Sequence, residues 1–437
     1  MIGVQSGRVR RLAVPFSRIL TVLIPGRVSV LASELATELA SSLASGRASS
    51  LVLSLILALV ASPPAAASVH RAHHAAPAPS RPRAAAPARK LPASYSAALV
   101  VDAETGQVFF EKNQDEPRAP ASLTKMMTEL ITLESAEKGT ISLDDIVVVP
   151  TDVRTVGGTR VHLRPGDRLP LTDAIKAMAI ASANDAAVAV AHHVAGSVDR
   201  FVEMMNQRAR ELGMDHTHYV TVNGLDPNNA PGSITTARDQ ALLARTLIRH
   251  RLALQISSTV YDTIRSRQII HTTNRLLGRC EGVDGLKTGY TSKAGFCLVS
   301  TARKGDLRVV SVLLGATSNR RRFSESETLL NDVFSRFQKV PVIRKGQDLG
   351  QACSTAGGDP PQVRLVAGED VDLLLPAAMH PDIRLRVTAP SAVHPPVAEG
   401  RALGRLQILI GDSLAAEAPA VADRPVRKTG LRDKLGL

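Results

Sequence analysis

The chain has 437 residues, 44% of them hydrophobic and 21% charged, enough apolar sequence for two or three packed domains. Aromatics are only 3% and tryptophan is absent, which argues against sugar-stacking surfaces and single-strand nucleic-acid platforms built on stacked rings. The formal net charge of +13 suits an anionic envelope; with scattered arginines and no nucleic-acid motif, no nucleic-acid partner is expected.

Near the start, Leu51–Ala61 is an apolar run too short for a comfortable membrane span. It follows Arg47 and precedes Pro63-Pro64-Ala65-Ala66-Ala67, so residues 1–67 read as a secretory signal with a long n-region. The expected location is therefore outside the cytoplasm, in the periplasm or cell envelope. Residues 68–94 are rich in Ala, Pro and Arg and read as a disordered linker, in which His70, His73 and His74 lack further ligands for a metal.

Apolar runs at Ala97–Val101 and Gln107–Phe110 flank a turn and predict a hairpin. Helical patterns follow at Ser122–Glu137, from caps Thr172 and Asp173 towards Ile180, at Asp185–Val194, at Phe201–Leu212 and at Thr236–Leu252. A second hairpin is expected from Gly295–Ser300 and Arg308–Gly315, then a helix over Phe323–Phe337. Beyond Val340 short apolar runs (Val363–Val366, Val371–Leu375, Ile383–Val387, Leu406–Ile410) alternate with Gly, Pro and Asp, which predicts a separate β domain. The expected divisions are 95–339, 340–426 and a basic tail at 427–437. Cys280, Cys297 and Cys353 form no CxxC pair and suggest neither a disulfide framework nor a metal site; Cys297 reads as a small buried hydrophobe.

Three short motifs occur in order: Ser122-Leu-Thr-Lys125, Ser182-Ala-Asn184 and Lys287-Thr-Gly289. The first puts Ser122 and Lys125 one helical turn apart on one face. A serine hydroxyl is a poor nucleophile until a neighbouring base takes its proton, and a lysine serves if burial and a second cation lower its pKa. Lys287 is the candidate second cation. Ser182 would relay a proton and Asn184 contact the substrate backbone, while Lys287 and Thr288 would hold a terminal carboxylate. Gly289, on a strand edge, would let substrate lie against the backbone. The backbone N–H groups of Ser122 and of a residue just past Gly289 would form an oxyanion hole. Taken singly the patterns are cheap: Ser135-Ala-Glu-Lys138 and Lys428-Thr-Gly430 repeat two of them. Ser135 is expected to face solvent and Lys428 to lie in the tail.

The ordered triple is the signature of penicillin-binding proteins and class A β-lactamases. With Ala121–Thr128, Ala181–Ala186, Asn223-Gly-Leu225, Thr235–Asp239, Asp284–Tyr290 and Arg320–Ser326, the chain resembles the D-alanyl-D-alanine carboxypeptidases, the low-molecular-mass penicillin-binding type. The resemblance runs from about Ser94 to Lys339 and, more loosely, over the β-rich part. It implies an α/β (α+β) transpeptidase/β-lactamase-like domain, its antiparallel sheet flanked by helices, followed by a small all-β sandwich. It implies Ser122 as the acylated nucleophile, Lys125 as its base, Ser182 and Asn184 in the relay, and Lys287, Thr288 and Gly289 in substrate binding. Arg322 corresponds to an arginine that steers the terminal carboxylate; Asn223 matches a loop near the site. Ala183 stands where glycine is usual. The expected partners are peptidoglycan stem peptides, with β-lactams as covalent inhibitors.

The same site would serve a DD-endopeptidase acting on crosslinks, and a non-catalytic wall scaffold would keep the fold. Fast penicillin turnover is not expected, because no loop glutamate with an ExxLN pattern follows Ser182. No HExxH or equivalent ligand set occurs, so neither metal nor cofactor is expected. The tail, with Leu431, Leu435 and Leu437, is short for stable anchoring and suggests only weak peripheral membrane contact.

Overall fold

The computed structural model describes residues 94–226 and 232–429. The expected signal and linker, and the tail from Gly430, lie outside those residues. Strands β1 (Ala97–Asp102) and β2 (Val108–Lys112) form the first hairpin. A single 3-10 turn, Ala121–Thr124, leads into helix α1 (Lys125–Glu137). A small ribbon of β3 (Ile146–Val148) and β4 (Arg168–Pro170) precedes α2 (Leu171–Ala179), α3 (Asn184–Ala195) and α4 (Val198–Glu211). Next come α5 (Ala237–Leu247), α6 (Arg251–Ser257) and a ribbon of β5 (Tyr261–Ile264) and β6 (Gln268–His271). Strands β7 (Val283–Thr291), β8 (Gly295–Lys304) and β9 (Leu307–Ala316), then α7 (Asn319–Arg336), complete this part.

The central sheet runs β2-β1-β9-β8-β7, all antiparallel, with β7 at one edge. The period-2 alternation of a strand explains why it is covered on both faces. In β1, Ala97, Leu99 and Val101 enter the core shared with α1, α2, α3 and α5, while Ala98 and Val100 enter the one formed with α7.

Several helix boundaries differ from expectation for local reasons. The Thr236–Leu252 pattern is two helices, because three-residue turns at Arg249 and His250 close the first and His250 pairs with Glu137 of α1 at 2.7 Å. Thr236 does cap α5, accepting from the Asp239 N–H. Helix α7 starts at Asn319, ahead of Phe323, capped by the Ser318 side chain. Thr172 and Asp173 do not cap α2: they sit in its first turn, and Asp173 accepts from the Arg265 N–H. Ser135 is buried, not exposed, since the neighbouring turns of α1 are enclosed by other helices.

The β-rich part contains β10 (Phe337–Ile343), β11 (Asp348–Ser354), β12 (Gly358–Asp359), β13 (Gln362–Ala367), β14 (Val371–Pro376), β15 (Ile383–Thr388), β16 (Ala402–Ile410), β17 (Ser413–Ala422) and β18 (Arg427–Lys428). A five-stranded sheet, β11-β13-β17-β16-β15, is faced by the β10–β14 ribbon. Ile343, Leu373 and Leu375 of the ribbon share a core with Leu406 and Ile408 of the sheet. Lys428, of the second KTG, lies in the short β18 strand and is exposed. Among the described residues no helix is long and apolar enough to cross a membrane.

Candidate active site

Ser122 sits in the 3-10 turn ahead of α1, and the turn is shaped by its neighbours. Ala121 adopts φ +47°, a left-handed conformation costly for a residue with a Cβ. The loop at Asn223–Leu225 packs against it so closely that a Cβ on Gly224 would lie 1.8 Å from the Ala121 carbonyl oxygen. Only glycine fits there, and Gly224 itself has φ +77°. Ser122 is the one half-exposed residue in a run that is otherwise buried from Ala121 to Leu133.

Lys125, almost fully buried, brings Nζ to 3.0 Å from Ser122 Oγ, 2.6 Å from Asn184 Oδ1 and 2.8 Å from the Asn223 carbonyl. The Asn184 amide is oriented by its other end, where Nδ2 donates to the Gly157 carbonyl at 2.8 Å. Asn184 Oδ1 and Asn223 O can therefore only accept. A neutral lysine gives its two N–H bonds to them and leaves its lone pair facing Ser122, the one partner with a proton to donate. Burial, then the charge of Lys287, hold the Lys125 pKa well below the usual lysine range.

Lys287, on edge strand β7, donates to Ser182 Oγ at 2.8 Å and to the Thr288 carbonyl at 2.9 Å. Its pKa is pushed down to about 7 by burial and by Arg322, against the pull of Glu129. Ser182 has φ +61°, a second strained non-glycine residue at this site, and begins the turn that opens α3 at Asn184. Thr288 Oγ1 shares a 2.6 Å hydrogen bond with Thr273 Oγ1. Ala183 is wholly buried and offers no side-chain chemistry.

A Cβ on Gly289 would fall 3.1 Å from Pro120 O and 3.2 Å from Ser122 N, beside the backbone N–H of the nucleophile. The glycine lets β7 close on the nucleophile turn, and the free edge of the strand stays open in the plane of the sheet. Arg322 is placed differently from a surface arginine. It is buried behind the strand, Nη1 donating to the carbonyls of Gly289 at 3.0 Å and Cys297 at 3.3 Å, with the guanidinium over Phe323. Burial lowers its pKa to about 10.

The structure thus brings all eight sequence candidates together. Two groups expected near the site take definite form, and a third, Glu129, went unnamed. Asn223 contributes a backbone carbonyl, a contact no residue identity announces. Tyr290, just past Gly289, is exposed and stacks on Phe296 at 4.2 Å. Glu129 lies one turn after Lys125, buried, with Oε1 unpartnered and its pKa raised to about 8 by burial, against the charge of Lys287. A glutamate amid Met126, Met127, Leu130 and Ile131 was the available signal. A larger cavity of about 820 Å³, lined by Leu133, Glu137 and His250, contains none of these residues.

Comparison with known proteins follows the same lines. Residues 83–318 match the family model for D-alanyl-D-alanine carboxypeptidase, and residues 337–428 match that for the penicillin-binding protein 5 C-terminal domain. The D-alanyl-D-alanine carboxypeptidase DacC of Escherichia coli is 34% identical over 341 residues, 76% of this chain and 84% of that protein. Penicillin binding protein 5 from Haemophilus influenzae superposes with a TM-score of 0.65 at 27% identity, covering 77% of this chain and 98% of the other. Penicillin-binding protein D2 from Listeria monocytogenes, solved in its ampicillin-bound form, gives a TM-score of 0.51 at 33% identity, over 55% of this chain and 97% of its own. With a family match over more than half its length, the chain belongs to the D-alanyl-D-alanine carboxypeptidase family and is an enzyme of the serine-hydrolase kind.

Proposed function

We propose that this chain is a serine-type D-Ala-D-Ala carboxypeptidase that removes the terminal D-alanine from peptidoglycan stem pentapeptides. The observation that carries the reading is the Lys125 amine, buried, lowered in pKa and aimed at Ser122 Oγ. Ser122 Oγ attacks the carbonyl carbon of the penultimate D-alanine while Lys125 Nζ takes its proton. The N–H groups of Ser122 and Tyr290 receive the oxyanion, each worth about 10²–10³ in rate for sites of this type. Collapse of the adduct breaks the peptide bond, and the departing amine takes a proton passed from Lys125 through Ser182. Water then cleaves the Ser122 ester by the reverse relay.

Lys287 and Thr288 hold the C-terminal carboxylate. Arg322 fixes the Gly289 carbonyl and adds positive charge from behind the strand. The peptide adds to the free edge of β7. β-Lactams acylate the same serine and leave it slowly. The protein acts outside the cytoplasm, where such peptides are found.

The test is D-alanine release from a stem pentapeptide by the purified protein and by Ser122→Ala. Release that vanishes with the serine supports the assignment. No release, with penicillin still labelling Ser122, points to crosslinked peptides as the substrate. Neither release nor labelling overturns the reading.

A further inference from the structure

The segment that covers Asn184 carries an unusual excess of unpaired positive charge. After the 3-10 turn Thr151–Thr155 the chain returns along α3, and the Asn184 N–H donates to the Thr159 carbonyl at 2.8 Å. The next residue, Asp185, is buried and accepts from the N–H groups of Val161 at 3.2 Å and Leu163 at 2.9 Å, fixing the segment's course. Between them this stretch and Asp185 line a cavity of about 440 Å³. Arg154, Arg160, His162 and Arg164 stand on its rim, all exposed.

The nearby carboxylates are engaged elsewhere. Asp152 pairs with His192 at 2.8 Å and Asp167 with Arg265 at 3.0 Å. Asp185 is taken up by backbone N–H groups. None of the three arginines makes an ion pair or a side-chain hydrogen bond among the described residues. Three arginines line one hollow without an ion pair among the described residues, and guanidinium groups suit planar carboxylates.

We propose that this basic hollow binds a free carboxylate on the acyl side of the substrate, upstream of the scissile bond. The inference rests on the carboxypeptidase reading. There the C-terminal carboxylate belongs to Lys287 and Thr288, so a positive site beyond Asn184 meets the opposite end of the peptide. The enzyme therefore discriminates acidic stem peptides from those whose upstream carboxylates are amidated. The contacts are rim-exposed, so the discrimination is moderate and weakens with salt.

The experiment compares two synthetic pentapeptides ending in D-Ala-D-Ala, one with free upstream carboxylates and one with them amidated. The native protein should turn over the acidic peptide with kcat/KM about tenfold higher, mostly through KM, and the gap should narrow in about 0.5 M salt. Arg154→Gln/Arg160→Gln/Arg164→Gln should lose that preference while keeping its rate on the amidated peptide. A matched loss of charge in the β-rich part, Arg386→Gln/Arg405→Gln/Arg427→Gln, should keep the preference, which separates a local site from steering by net charge. Equal turnover of both peptides by the native protein overturns the proposal, as does an equal loss on both in the triple variant. No D-alanine release from either peptide would instead remove the carboxypeptidase reading beneath it.

Discussion

Helix α1 begins and ends with the same four-residue pattern, and the two copies are mirror images in burial. At the start, Lys125 is almost completely buried and Ser122 is half-exposed. At the end, Ser135 is buried and Lys138 is exposed. The spacing is identical, so spacing cannot be what makes a nucleophile. Burial lowers the lysine pKa, two pure acceptors fix its N–H bonds, and only then does its lone pair face a hydroxyl. Chemistry resides in the inverted burial, the open serine over the enclosed amine.

The strongest way to break this contrast is to remove each lysine in turn. Lys125→Met should lower kcat/KM for D-alanine release, and the rate of penicillin labelling, by about 10²–10⁴. Lys138→Met should leave both unchanged. Comparable losses in the two variants would mean that the enclosed amine has no special role. Methionine keeps the bulk of the buried side chain, so a thermal melt should show Lys125→Met folded.

Much of this contrast was legible beforehand. The ordered triple, a helix beginning at Ser122 and a strand pair after Lys287 separated the true motifs from their copies. The apolar runs at Ala97–Val101 and Arg308–Gly315 marked two strands of the central sheet. What was hidden was mostly contact between distant segments. Ser135 looked exposed because Glu134, Glu137 and Lys138 surround it, yet α1 is central and only its last turn meets solvent. The first turn of α7 has no apolar residue before Phe323, so periodicity started late. The approach of Pro120 and Ser122 to the strand at Gly289 is likewise a tertiary fact that no pattern announces.

A second, smaller effect sharpens the contrast through pH. Lys125 must be neutral to accept the Ser122 proton, so kcat/KM should fall as acid protonates it. Lys287 must be cationic to hold a carboxylate, and with a pKa near 7 it loses that charge as pH rises. A bell-shaped profile follows, its alkaline limb falling about fivefold between pH 7 and 8. In Lys287→Arg the charge persists to high pH, so the alkaline limb should move upward while the acid limb stays. An alkaline limb unchanged by that substitution would locate it in another group.

The smallest effect on rate, and one visible in stability, concerns the residue between the two copies. Glu129 follows Lys125 by one turn and is buried beside the lysine pair, with its pKa raised to about 8. In the unfolded chain a glutamate releases its proton near pH 4.3. Between those values the folded protein holds a proton that the unfolded chain has lost, so Glu129 makes stability fall as pH rises through that window. Glu129→Gln removes the titration. The variant should match the native protein near pH 4 and exceed it at pH 8 and above, by up to about 5 kcal/mol in denaturant melts. Were Glu129 instead ionised as the counter-charge of Lys287, the sign would reverse: the variant would be the less stable at pH 8, left with a buried lysine lacking its partner. The direction of that one difference decides whether the charge sustaining a depressed Lys125 comes from Lys287 unopposed or from a pair that nearly cancels.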